Sequence, residues 1–219
     1  EAVSVAGQLS IRWAERAVND YLNKILETNN EDYVLASDTD SLYVTMEKMV
    51  EKVGLTDTDK IIKFLDTVCD GKIQDVIDKC YGEMAEYVNA FQQKMVMKRE
   101  VLADVGIWVA KKHYVLNVHN SEGVQYEEPK LKIMGIEAVK SSTPEPCRNA
   151  LKKAFKIMMN GTEDDVINFI EEFKTEFKTF PAEDISFPRS VKGLAKYYDS
   201  ATIYRKSTPI HVKGSLIYN

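Results

Sequence analysis

Apolar residues recur at helical spacing from Gln8 to Leu26, where Leu9, Trp13, Ala17, Tyr21, Leu22 and Ile25 share one stripe and predict an amphipathic helix. The period then shortens. Tyr33-Val34-Leu35-Ala36 and Leu42-Tyr43-Val44 are short β-prone runs on either side of Ser37-Asp38-Thr39-Asp40-Ser41, a pattern that predicts a hairpin with a polar tip. Helical spacing returns between Asp57 and Phe91, with Ile73, Ile77, Cys80, Met84 and Phe91 on one stripe and Gly71 as a break between two segments. Two strand-like stretches follow, Lys94 to Leu102 and Ile107 to Val118, and Asn120-Ser121-Glu122-Gly123 closes them with a turn. Thr143-Pro144-Glu145 predicts a helix start, with Thr143 as cap and Pro144 at the first helical position. Leu151, Phe155 and Met158 give that helix an apolar face, and Val166, Ile170, Phe173 and Phe177 do the same for the next one, after Asn160-Gly161. The last stretch reads as irregular, basic and aromatic. The sum predicts an α+β fold, with an antiparallel sheet in the first part and helices in the second.

Composition leaves this picture intact and narrows it. The 219 residues suffice for one domain or a tightly joined pair, and 44% hydrophobic with 29% charged residues is ordinary for a globular chain. No run approaches the roughly 18 apolar residues of a membrane span, and Glu1 opens nothing resembling a signal peptide, so a cytoplasmic location is expected. Cys69, Cys80 and Cys147 lack the paired spacing of zinc or redox sites and read as reduced thiols; the three histidines are equally scattered. The net charge of −5 is unevenly spread: Thr56 to Ala90 holds eight acidic against four basic residues, and Pro181 to Asn219 three against six. Such a basic flank is either a surface for a polyanion or a solvated face.

Chemistry concentrates at Asp38-Thr39-Asp40. Two carboxylates at a hairpin tip are what a magnesium ion requires, since it takes oxygen ligands and is commonly held by one or two protein carboxylates together with substrate phosphates. The same residues are also good turn formers through side chain to backbone bonds. Lys111-Lys112-His113-Tyr114 opens a strand in which period two places Lys112 and Tyr114 on one face. That pair suits phosphates and a duplex minor groove, or else is a snorkelling lysine beside a half-buried ring. Glu100 either adds a third carboxylate near the first two or pairs with a neighbouring Lys or Arg.

Taken in order, Asp38-Thr39-Asp40-Ser41, Lys111-Lys112-His113-Tyr114, Lys130-Leu131-Lys132-Ile133-Met134-Gly135-Ile136-Glu137 and Lys140-Ser141-Ser142-Thr143-Pro144 resemble the family B DNA polymerases of T4-like phages. The likeness runs from Ala6-Gly7-Gln8 to His211-Val212-Lys213-Gly214 and Tyr218-Asn219, nearly the whole chain. The resemblance implies the C-terminal part of a polymerase palm over 1–129 and a mainly helical partial thumb over 130–219. It implies that Asp38 and Asp40 are catalytic and bind Mg2+, with Glu100 an acidic position near the metal. It implies that Lys111, Lys112 and Tyr114 contact the primer-template, and that Lys130, Lys132 and Gly135 lie where the palm hands over to the thumb and grips the duplex.

Two departures stand out. Ala36-Ser37 replace the Tyr-Gly usual before the Asp-Thr-Asp, and Lys98 stands where relatives can carry an acid. The sequence also holds no exonuclease region, no Asp-x-x-Ser-Leu-Tyr-Pro-Ser motif and no Lys-x-x-x-Asn-Ser-x-Tyr-Gly helix. The resemblance therefore implies part of a template-directed polymerase, inactive alone, acting on primer-template DNA and dNTP once a complementary polypeptide completes the two-metal site. The alternative function is a non-catalytic DNA-binding palm-thumb module.

Overall fold

Helix α1 (Ala2–Leu26) buries Ile11, Ala14, Val18 and Leu22, residues spaced three or four apart and hence on one face. In this computed structural model, which describes residues 2–218, that face packs on Ile77, Cys80, Tyr81 and Met84 of α4 (Gln74–Tyr87) to form the main core, together with Tyr33 and Met49. Glu1 and Asn219 lie outside the described residues. The chain divides after Lys132 into two compact units, Glu1–Lys132 and Ile133–Asn219.

Polar rungs on α1 aim the chain into the hairpin. The Asn19 side chain accepts from the Tyr33 amide at 2.8 Å, and Asn23 both donates to the Glu31 carbonyl at 2.7 Å and accepts from its amide at 2.8 Å. Strands β1 (Val34–Asp38) and β2 (Ser41–Val44) then pair antiparallel, with Asp38 opposite Ser41 and a bulge between Val34 and Ala36. The hairpin is the predicted one, but Asp38 ends a strand, which leaves Thr39-Asp40 alone at the tip. The short helix α2 (Glu47–Val53) follows and stops at Gly54, whose φ of 72° suits a residue without a side chain.

From Asp57 onward the helix runs through the position where Gly71 was expected to break it. The Asp57 side chain caps α3 (Thr58–Val68) by accepting from the Lys60 amide, and a π-helical turn (Cys69–Ile73) containing Gly71 joins α3 to α4. Phe91 does not continue the apolar stripe: α4 ends at Tyr87, Asn89 takes φ 51°, and the Phe91 ring is fully exposed.

The second sheet has the order β3-β4-β5, from Val101–Ala110, His113–Ser121 and Val124–Met134. Its central strand β4 is buried continuously from Tyr114 to Asn120. The sequence expectation needs three corrections here. Lys94 to Glu100 form no strand; β3 and β4 are separate strands joined by a turn at Lys111-Lys112; and β5 was not foreseen. Bulges at Leu102/Ala103, Ala103/Val105 and Trp108/Ala110 blur the period-two signal. Lys112 takes φ 61°, a left-handed conformation that nothing in its residue type announces. It therefore sits in the turn and does not share a strand face with Tyr114.

In the second unit α5 (Glu145–Asn160) and α6 (Glu163–Phe177) form a helical hairpin. The α5 cap is Pro144 and the helix begins at Glu145, one residue later than expected. Phe155 is buried as anticipated, whereas Met158 is largely exposed. Thr162 and Asp165 build a reciprocal capping box at the start of α6, whose Phe173 stacks with Phe169 and meets Phe177 and Phe180. Ile170 stays exposed. The terminal stretch is less irregular than expected. It contains α7 (Ala182–Ile185), two 3-10 turns and α8 (Ile210–Tyr218), stitched by the Thr208 hydroxyl donating to the Thr202 carbonyl at 2.7 Å. No helix among the described residues is long and apolar enough to cross a membrane.

Candidate functional site

At the hairpin tip the Asp40 amide donates to the Asp38 carbonyl at 2.6 Å around Thr39, whose φ is 55°. A β-branched residue rarely adopts this left-handed conformation, so the turn carries local strain of the kind often found at functional positions. Ser41 Oγ adds a bond to the Asp38 carbonyl at 3.1 Å.

The two carboxylates differ in surroundings. Asp38 is partly buried, accepts from Thr39 Oγ1 at 3.0 Å, and faces Lys112 Nζ at 3.4 Å. Asp40 is exposed, and among the described residues its carboxylate makes no hydrogen bond or ion pair. Glu100 does not join them in a ligand cluster. It pairs with Lys132, the second of the two alternatives read from the sequence, and no group of three His, Cys, Asp or Glu among the described residues is arranged to hold a metal ion.

Tyr114 is 4% exposed, more deeply set than a half-buried ring. Its hydroxyl accepts from Tyr43 Oη at 2.8 Å, and the rings meet edge to face with centroids 5.2 Å apart. Burial raises the Tyr114 pKa above its ordinary value; the Tyr43 hydrogen bond and the negative charges of Glu100 and Asp38 push the same way. Both acids therefore lie within electrostatic reach of this phenol.

The remaining basic candidates are spread over the turn and strand β5. Lys111 is exposed, with its carbonyl 2.8 Å from His113 Nδ1. Lys130 lies over the Tyr126 ring with its ammonium 4.0 Å from the centroid, and Gly135, just past β5, has φ 71°. Lys98 is exposed, while its neighbour Arg99 is partly buried, with its guanidinium against Asp66, Asp70 and Asn120.

Sequence reasoning missed Tyr43 and Trp108. Trp108 packs edge-on against Tyr43 at 5.6 Å and lies 6.3 Å from Tyr114. Tyr43 was visible only as a strand residue, since no local pattern connects it to a partner 71 positions away.

Comparison with known proteins shows what the chain is similar to. The family described as Divergent Family B DNA polymerase matches residues 24–174. Over 229 aligned residues the chain is 39% identical to the DNA-directed DNA polymerase of Escherichia phage RB69, covering 100% of this chain and 25% of that protein. Over 228 residues it is 35% identical to the DNA-directed DNA polymerase of Enterobacteria phage T4, covering 99% of this chain and 25% of that protein. It thus spans about a quarter of the length of these relatives. A family match over residues 24–174, with 35–39% identity along essentially the whole chain, places this chain in the divergent family B DNA polymerases.

Proposed function

We propose that the chain serves template-directed DNA synthesis, supplying part of a nucleotidyl-transfer site and part of the grip on primer-template DNA. The observation that carries the reading is the asymmetry of the hairpin carboxylates: Asp38 is steadied by Lys112, while Asp40 stands exposed without a protein partner among the described residues. Binding DNA alone gives no reason to set a free carboxylate beside the contact surface, because the ligand is itself a polyanion. This disfavours a purely non-catalytic module.

The donor chemistry fits Mg2+, a hard cation that takes carboxylate oxygens and leaves sites for phosphates and water. Asp40 is the primary ligand in this reading and Asp38 the second, with Glu100 an acidic neighbour engaged by Lys132. When bound, such an ion neutralises charge that develops on the transferred phosphoryl group. These donors are only part of a site, so the missing ligands and the dNTP contacts come from a complementary polypeptide segment. Alone, the chain is expected not to extend a primer.

Residues 1–129 act as the C-terminal part of the palm and 130–219 as a partial thumb, a division that lies close to the boundary between the two compact units after Lys132. Lys111, Lys112, Lys130 and Lys132 meet duplex phosphates, which position nucleic acid without reading its sequence. Tyr114 and Gly135 belong to the same proposed grip on the primer-template.

The test is Asp40→Ala in a polymerase reconstituted from this chain and the complementary segment. Nucleotide addition should be lost with primer-template affinity kept. Activity near that of the unaltered chain would remove the metal role.

A further inference from the structure

Hairpin β1–β2 is a weak element by its own resources. It comprises two strands of five and four residues, every residue of β2 is only partly buried, and the tip holds Thr39 in a left-handed conformation. An isolated two-stranded hairpin is at best marginally stable in water. Catalytic carboxylates, however, must be held to within about 0.5 Å. Something outside the hairpin has to fix it.

Two contacts tie it to the β3–β4 hairpin. One is the Asp38–Lys112 ion pair at 3.4 Å, a partly exposed contact of the kind that contributes little. The other is part-buried: Tyr43 Oη donates to Tyr114 Oη at 2.8 Å, the two rings lie edge to face, and Trp108 closes over Tyr43 from β3. Tyr43 also packs against the cluster of Tyr114, Leu116 and Val118 on the buried central strand. Partly screened from water and held by a buried acceptor ring, this hydrogen bond is more directional than the surface ion pair.

Resting on the assignment of Asp38 and Asp40 to the reacting centre, we propose that Tyr43 is a positioning residue. With Tyr114 it forms a strut that sets the carboxylate hairpin against β4, and it acts on nucleotide addition through that hairpin, without touching DNA or nucleotide. Asp38 is opposite Ser41, and Ser41 and Tyr43 alternate on one side of β2, so a shift at Tyr43 is carried to the tip within one strand repeat.

The experiment uses Tyr43→Phe, which removes the hydroxyl and keeps the ring, alongside Tyr114→Phe and the double variant. Amide hydrogen exchange of this chain reads the hairpin directly. Both single variants should speed exchange at Thr39 to Tyr43 by about fivefold, the size expected for one net hydrogen bond. The double variant should be no faster than either, because all three lack the same bond, and exchange in α1 should not change. In the reconstituted polymerase, Tyr43→Phe should lower kcat about tenfold and raise the Mg2+ concentration for half-maximal rate, with primer-template Kd unaltered.

Unchanged hairpin exchange overturns the strut. Acceleration that includes α1 overturns it as well, since the bond would then support the whole unit. A loosened hairpin with normal kcat overturns the positioning role. All three results leave the assignment of Asp40 intact; that assignment fails separately, if Asp40→Ala remains active.

Discussion

Lys112 Nζ lies 3.4 Å from Asp38 Oδ1, so a cation on the β3–β4 turn rests against the first carboxylate of the β1–β2 hairpin. The same lysine is a proposed phosphate contact, and one ammonium cannot serve carboxylate and phosphate equally. On that reading Asp38 competes with DNA for it. Asp38→Asn should tighten primer-template binding by about two- to fivefold at low salt, the range of a partly exposed ion pair, while lowering nucleotide addition. Lys112→Ala should weaken binding for all sequences alike and reduce the slope of log affinity against log salt by about 1. Fluorescence anisotropy over a salt series measures both; a loss confined to one sequence would contradict the phosphate role.

Gly106 carries the Trp108 ring. A Cβ there would lie 2.5 Å from Trp108 Cζ3, 2.6 Å from Cη2 and 2.9 Å from Leu116 Cδ2, so any side chain must displace the indole and press on the Leu116 side chain. Gly106→Ala is expected to cost about 1–3 kcal/mol by overpacking. It should also shift Trp108 emission as the ring leaves Tyr43. Denaturant unfolding and fluorescence in a Trp13→Phe background test this; an unchanged spectrum would mean the ring is accommodated in place.

Arg99 is the partly buried hub of three acceptors. It pairs with Asp66, lies 3.6 Å from Asp70, and donates to Asn120 Oδ1 at 2.9 Å, which joins α3 and the π-helical turn to the sheet. Arg99→Ala should destabilise the first unit by about 3 kcal/mol, because Asp66 and Asn120 lose a partner in a partly buried setting. Arg99→Lys should recover little, since a single ammonium cannot reach donors spread over a planar fork. Urea midpoints of the two variants, compared at equal slope, decide this.

Alkaline pH should weaken the fold. Burial pushes the thiols of Cys69 and Cys80 up to about 11, and raises the phenols of Tyr81 and Tyr114 as well. The unfolded chain gives up these protons first, so above the ordinary values it binds fewer protons than the folded chain and stability falls as pH rises. The thiol contribution is complete below about pH 9 and is lost between about 9 and 11. Urea midpoints at about pH 8 and about pH 10.5 should show the drop. Cys80→Ala should shrink it, and a flat profile would refute it.

Much of the fold follows from local pattern. Helix α1, the β1–β2 hairpin, and helices α5 and α6 announce themselves through period and punctuation, because each carries its apolar pattern or its turn and cap residues within its own length. What escapes has non-local or strained causes. The Lys111-Lys112 turn has no glycine to mark it, and bulges in β3 disturb the alternation that would have separated it from β4. Phe91 looked like the end of an apolar stripe, but the helix stops four residues earlier. At the candidate site the carboxylates and lysines were legible by type and order. Their pairings were not: Lys112 with Asp38, Lys132 with Glu100 and Tyr43 with Tyr114 all join separate strands or turns, at separations no periodicity reports.

The π-helical turn at Cys69–Ile73 lets one almost unbroken rod serve two masters. Ahead of it, Ile62 and Leu65 point to Leu102 at the start of the second sheet; beyond it, Ile77, Cys80, Tyr81 and Met84 point to α1. Each residue of an α-helix turns the face by about 100°. Trimming one residue from this widened coil would rephase its two halves, and whichever cluster kept its partner, the other would be swung into solvent. The wide turn is thus a phase adjuster, and its length is under tighter constraint than its chemistry.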